Sequence, residues 1–186
     1  MNCRTPIRAV SFDVGGTLIA PWPSVGHVYA AVARRFTGEP LDPRAINARF
    51  AVAWRARAGA FDYSRTAWAE LVAKAFAGSH FAADTGFFNA LYAHFALPAA
   101  WRIYDDVLLA LRSLRQHGFR LAVISNWDER LRPLLERLEL RQFFEVIVVS
   151  GELGVHKPAP EIFTHAAEQL GVPTEAILHV GDSKNE

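Results

Sequence analysis

The chain has a single cysteine in 186 residues, Cys3, so no internal disulfide can form and the fold must rest on a packed core. That usage fits a reducing compartment, and a cytoplasmic location is the expectation. Long hydrophobic runs are also missing. Stretches such as Leu121 to Ile124 and Val146 to Val149 fall far short of the ~18 apolar residues of a membrane span, so no membrane association is expected. Arg4 and Arg8 have no apolar stretch behind them, which predicts no secretion leader. An excess of charge is lacking too: the formal net charge is +1, which gives no overall electrostatic case for nucleic acid. There is no internal repeat, and the only compositional bias is an alanine-rich patch in the middle.

What is present is ordinary globular composition, 51% apolar and 21% charged, in a length that suits one core domain and a small second one. The chain is organised around the stretch Val10 to Leu18, an apolar run that ends in Asp13 and is followed by Gly15 and Gly16. Ile7 to Phe12 predicts a short buried strand, with Asp13 at its carboxyl end on a turn that the glycines allow to be tight. The prolines of Ala20-Pro21-Trp22-Pro23 then rule out a continuing strand or helix. Helical spacing follows over Ser24 to Gly38, Asp42 to Gly59, Ser64 to Phe76 and Phe87 to Phe95, and Leu97-Pro98 closes the region. Between Pro21 and Arg102 nine Lys/Arg face five Asp/Glu, or +4, and the remainder has eleven against fourteen, or −3. Trp54 and Trp68 sit at helical spacing and read as the core of this insert rather than as a nucleic-acid surface.

From Asp105 the texture alternates. A helix capped by Asp105 or Asp106 and stopped by Gly118 leads to a strand at Phe119 to Ser125. A helix over Asp128 to Leu140, a strand over Val146 to Ser150, a helix from Pro160 to just before Gly171 and a strand over Ala176 to Val180 complete the pattern. This predicts an α/β fold: a Rossmann-like parallel sheet core from 1–20 and 103–186, with an all-helical cap inserted at 21–102 as a lid.

In an open parallel sheet, ligands bind beyond the carboxyl ends of the strands. Four such places carry polar groups here: Asp13, Ser125-Asn126, the Ser150 to Lys157 loop, and Gly181-Asp182. Phosphoryl transfer needs a nucleophile, positive charge on the phosphoryl oxygens and usually a divalent cation. Asp13 can attack, Ser125 offers a hydroxyl, and Asn126 offers a backbone N–H at an expected helix start. Lys157 can hold its ammonium over both phosphate and Asp13, and Asp182 can ligate a hard cation, with Glu186 four residues on as a further or outer ligand. Taken singly, each has a plainer reading as a turn, cap or solvated side chain. His117 is explained by a helix end, and His156 is the one histidine placed to act as an acid.

Asp-x-x-Gly-Thr-Leu, then Ser-Asn, then Lys-Pro, then Gly-Asp-Ser, resembles the motif set of the haloacid dehalogenase superfamily of hydrolases with a helical cap. Ser125 to Leu131 and His179 to Ser183 look most like its REG-2-like, or hydrolase-domain-containing-3, branch. The resemblance implies a phosphatase that acts on a small phosphorylated metabolite through an aspartyl-phosphate at Asp13. Gly16, Thr17, Ser125, Asn126 and Lys157 would bind the phosphoryl group, and Asp13, the Gly15 carbonyl and Asp182 would hold Mg²⁺. Two departures stand out. Gly15 occupies the place of the family's general acid/base Asp, a loss of about 10²- to 10⁴-fold in rate. That leaves a feeble phosphate- or partner-binding relative, or a dehalogenase or phosphonatase, as alternatives. The chain also stops soon after the fourth motif, so a truncated sequence with an unprotected last strand is the expectation. Substrate identity and oligomeric state are not readable.

Overall fold

The computed structural model describes residues 5–57, 61–79, 81–82 and 84–183. By internal contacts the chain divides into two compact units, Met1–Ala20 with Ile103–Glu186, and Pro21–Arg102.

The first unit is built on a four-stranded parallel sheet. Strand β1 spans Ala9–Phe12, later than the expected start at Ile7, and all four of its residues are buried. The chain then turns into a short strand, β2, at Ile19–Pro21. This strand corrects the expectation that Pro21 forbids one: β2 forms a two-stranded sheet with a three-residue strand, β3, at Trp101–Ile103. A proline is tolerated in such a narrow ribbon, where the missing N–H has no second neighbour to serve.

The helices α1 (Val25–Thr37), α2 (Pro43–Arg55), α3 (Arg65–Ala75) and α4 (Thr85–His94) make up the second unit. Each start has the same cause. The side chains of Ser24, Asp42, Ser64 and Asp84 accept from backbone N–H groups of the first turn, which otherwise lack partners. Tyr29, Val32, Ile46, Val72, Phe76, Phe87 and Leu91 form their shared core. Trp54 and Trp68 stack at 5.9 Å, as packing residues would.

Returning to the first unit, α5 (Val107–Gln116) precedes β4 (Arg120–Ser125). Asp106 stands at its N-cap without a side-chain capping bond. The helix α6 covers only Leu131–Arg137, and a 3-10 turn follows at Arg141–Phe143. The predicted longer helix is cut because Glu139 adopts a positive φ of 58°. Strand β5 (Val146–Val149) runs straight into a one-turn helix, α7 (Ser150–Leu153), where the strand had been expected to continue. Helix α8 (Pro160–Leu170), with Pro160 at its start and Gly171 in the left-handed conformation at its end, leads to β6 (Ile177–Val180).

The strand order is β5-β4-β1-β6. Ala9, Ala122, Ile124, Val146 and Val148 present one face to Ile162, Ala166 and Leu170 of α8. The intervening residues turn to the other face, where Phe12 meets Phe144 edge-on at 6.3 Å. Burial on both faces explains why these strands read as continuous apolar runs. Because all four strands are parallel, the residues that follow each of them lie along one edge of the sheet.

Candidate active site

Asp13 follows β1 directly. Its backbone N–H donates to the Val180 carbonyl at 2.9 Å, which extends the ladder between β1 and β6 and fixes Asp13 beside the end of β6. The residue is 4% exposed. Ser125, the last residue of β4, donates its hydroxyl to Asp13 Oδ1 at 2.8 Å. Lys157 Nζ stands 2.9 Å from the same oxygen, with its side chain fully buried. That contact is an ion pair without hydrogen-bond geometry, so the N–H groups of the ammonium are not used by the described residues. Oδ2 of Asp13 accepts no hydrogen bond among the described residues, so one oxygen is held and the other left open.

Lys157 arrives on a loop with no regular structure, and Asn126 holds it. The Lys157 N–H donates to Asn126 Oδ1 at 2.7 Å, and Asn126 Nδ2 donates to the Lys157 carbonyl at 3.0 Å. This corrects the role expected of Asn126. Its backbone N–H is not at a helix start, because α6 begins at Leu131, and its carboxamide is committed to positioning Lys157.

Two further residues were not singled out from the sequence. Asp128, 2% exposed, is gripped by Arg130 through Nε at 2.8 Å and Nη2 at 2.5 Å, a two-pronged pair that closes the turn before α6. Ser150, fully buried, accepts from the Trp127 N–H at 3.1 Å and donates to the Trp127 carbonyl at 3.3 Å. The Gly151 N–H donates to that carbonyl too, at 2.9 Å. This grip fixes the backbone beneath the Trp127 indole. Ser150→Ala leaves the Trp127 N–H buried without its partner, and urea denaturation should show a loss of about 1–3 kcal/mol.

The turn after Asp13 is tight. The N–H groups of Leu18 and Ile19 both donate to the Val14 carbonyl, and the Gly16 N–H donates to the Ile19 carbonyl at 2.9 Å. Gly16 has φ 82°, and a Cβ there would lie 2.5 Å from Asp182 Oδ2. The left-handed φ favours glycine, a Cβ would push the Asp182 side chain aside, and the close approach brings the Asp182 carboxylate onto the Asp13 turn. The Gly16 N–H itself is committed to closing the turn. Thr17 Oγ1 is buried and makes no hydrogen bond among the described residues.

The family pattern of the haloacid dehalogenase-like hydrolases matches residues 7–186. The chain belongs to the haloacid dehalogenase-like hydrolases. It is 35% identical over 191 residues to haloacid dehalogenase-like hydrolase domain-containing protein 3 of Danio rerio, covering 96% of this chain and 78% of that one. It is 30% identical over 188 residues to a phosphoglycolate phosphatase of Chromobacterium violaceum, covering 97% and 78%. The solved structure of a phosphatase of this superfamily from Thermococcus onnurineus shares the fold, with TM-score 0.67 and 23% identity over 97% of this chain and 79% of that one.

In this haloacid dehalogenase-like hydrolase the remaining expected residues lie as follows. Glu186 falls outside the described residues. His117 Nδ1 sits 2.8 Å from the Ser113 carbonyl at the end of α5. His156 is half-buried, and the side chains that hold the Asp13 carboxylate are Ser125 and Lys157. His179, not assigned a role from the sequence, packs edge-on to Phe163 at 5.2 Å, and its Nδ1 lies 2.9 Å from Ser11 Oγ. Burial pushes its pKa down to about 4, the Lys157 charge adds to that, and Asp13 opposes it. The unfolded chain takes up this proton near 6.5 and the folded chain only near 4. The contribution is therefore complete above the higher value and is lost as pH falls toward the lower. Urea midpoints of His179→Gln should decline less than those of the parent chain between about pH 7 and 4.5.

Among the described residues no group of three His, Cys, Asp or Glu side chains is placed to hold a metal. The carboxylate that approaches the Asp13 turn is that of Asp182, at Gly16. Oxygen donors of this kind fit a small hard ion that keeps several of its waters, and do not fit zinc. No helix of the described residues is long and apolar enough to cross a membrane.

Proposed function

We propose that this chain hydrolyses phosphomonoesters of small metabolites through a phosphoryl group carried by Asp13, with Mg²⁺ as its cofactor. The observation that carries this reading is the buried Asp13 carboxylate with Ser125 and Lys157 on one oxygen and, among the described residues, nothing on the other. Ser125 and Lys157 orient the carboxylate so that Oδ2 is the attacking atom. The Lys157 ammonium and the Thr17 hydroxyl, which make no hydrogen bond among the described residues, are buried polar groups that three phosphoryl oxygens would satisfy. Asn126 keeps Lys157 in place while the phosphoryl charge moves. In the first step the Oδ2–P bond forms and the ester P–O bond breaks, its electron pair leaving with the alcohol oxygen. In the second, water attacks phosphorus and the pair of the Oδ2–P bond returns to the Asp13 carboxylate. Asp13, Asp182 and the Gly15 carbonyl would hold Mg²⁺, which supplies charge neutralisation to an anion attacking an anion.

The test is phosphate release from p-nitrophenyl phosphate by the purified chain with Mg²⁺ and with a chelator. Release that needs the metal is expected. Release unaffected by chelation would overturn the metal assignment. Halide release from a haloacid without phosphate release would make the chain a dehalogenase instead.

A further inference from the structure

Resting on the phosphoryl-transfer reading above, we infer that the preferred substrates are acyl phosphates, whose leaving group departs as a stable anion, and that the Trp127 indole enforces this by occupying the space beside Gly15. The leaving oxygen in such a reaction lies in line with the attack, on the far side of phosphorus from Asp13. An alkoxide needs a proton as its bond breaks, and a positioned acid supplies about 10²- to 10⁴-fold in rate. A carboxylate, with a conjugate acid near pKa ~4, needs none at neutral pH.

The unit that holds Asp13 offers no such acid on the turn that follows it. Val14, Gly15 and Gly16 have no proton to give. The Ser125 hydroxyl and the Lys157 ammonium both face the oxygen of Asp13 that does not attack. Asp128 is chelated by Arg130, and His179 Nε2 is buried from solvent. Gly15 is the position from which a side chain could enter. Its backbone is not in the left-handed region, so conformation does not demand glycine there. Space is short there: a Cβ on Gly15 would lie 3.3 Å from Cζ3 of Trp127, so the indole would have to give by a few tenths of an ångström. That indole is 9% exposed, and its backbone is gripped by Ser150 and Gly151. Gly15 and Trp127 thus pack against each other, and what the ring atom nearest Gly15 offers is carbon.

The chemistry balances without an acid. Oδ2 of Asp13 bonds to phosphorus, the anhydride P–O bond breaks, and its electron pair leaves on the carboxylate. Water then attacks phosphorus, the carboxylate of Asp13 is restored, and both protons of the water end on phosphate.

Turnover of acetyl phosphate, p-nitrophenyl phosphate, phenyl phosphate and glycerol phosphate by the parent chain tests this, with Asp13→Asn as the control. Acetyl and p-nitrophenyl phosphate should be hydrolysed with dependence on Asp13, and phenyl and glycerol phosphate at least about 100-fold less well in kcat/KM. Gly15→Asp alone should leave that ratio unchanged. Gly15→Asp with Trp127→Ala should narrow it by at least about tenfold. Turnover that depends on Asp13 but is indifferent to the leaving group would overturn the inference and leave the nucleophile standing. Equal narrowing by the single and double variants, or none by a folded double variant, would overturn the role of the indole. Loss of folding in the variants leaves the parent series to decide the substrate class. No turnover of any donor that depends on Asp13 would overturn the phosphoryl-transfer reading itself.

Discussion

Asp13→Asn should lower phosphate release by about 10⁴- to 10⁶-fold, the scale seen when a covalent nucleophile is removed. The substitution is nearly isosteric, and the amide oxygen can still accept the Ser125 hydroxyl. What is lost is the nucleophile, because an amide oxygen does not attack phosphorus at a useful rate. The variant should nevertheless bind inorganic phosphate more tightly than the parent chain. Removing one anion from a buried site with a fully buried ammonium takes away repulsion and leaves Lys157 in need of a counter-charge. Opposite movements of turnover and phosphate affinity separate a missing nucleophile from a collapsed site, in which both would fall. Residual activity within about 100-fold of the parent would mean that another group attacks, since general acid/base loss alone reaches that scale.

The parts of this site that the sequence revealed are those carried by local signals. Asp13, Ser125 and Asp182 follow strand-like apolar runs, so their position at one edge of a parallel sheet follows from the alternation of elements. Ser24, Asp42 and Ser64 announce helix starts because an N-cap is a bond to the next few residues. The parts that stayed hidden depend on pairings across long stretches of chain. Asn126 and Lys157 are 31 residues apart, and no local pattern shows that a carboxamide will clamp a distant backbone. Trp127 and Ser150 are 23 apart, and the serine reads as the end of a strand. β2 and β3 are single short extensions whose pairing defines them, so propensity at Pro21 pointed the wrong way. Asp128 looked like the start of a helix because Asp commonly is one. Its bonds to the side chain and N–H of Arg130 instead hold a turn, and the helix starts later.

Lys157→Met should destabilise the chain by about 3–5 kcal/mol, since the carboxylate left behind is 4% exposed and has lost its one cation among the described residues. The length and volume of the side chain are kept, so the loss reports charge rather than packing. Asp13→Asn with Lys157→Met removes both charges, and that double variant should be more stable than Lys157→Met alone. The non-additivity measured in a double-mutant cycle by urea denaturation is then the coupling of the pair. Additive losses would mean that the two side chains do not interact in the folded chain. The same ammonium carries the second half of the effect. With Asn126 still gripping the backbone at residue 157, the Met variant should keep the loop in place yet lose phosphate affinity, because only the charge that faces the phosphoryl oxygens has gone. A Lys157→Met chain that is destabilised but binds phosphate as well as the parent would confine Lys157 to neutralising Asp13. Joint loss of stability and affinity is the expected result, since the buried ammonium, 2.9 Å from Asp13 Oδ1, makes no hydrogen bond among the described residues.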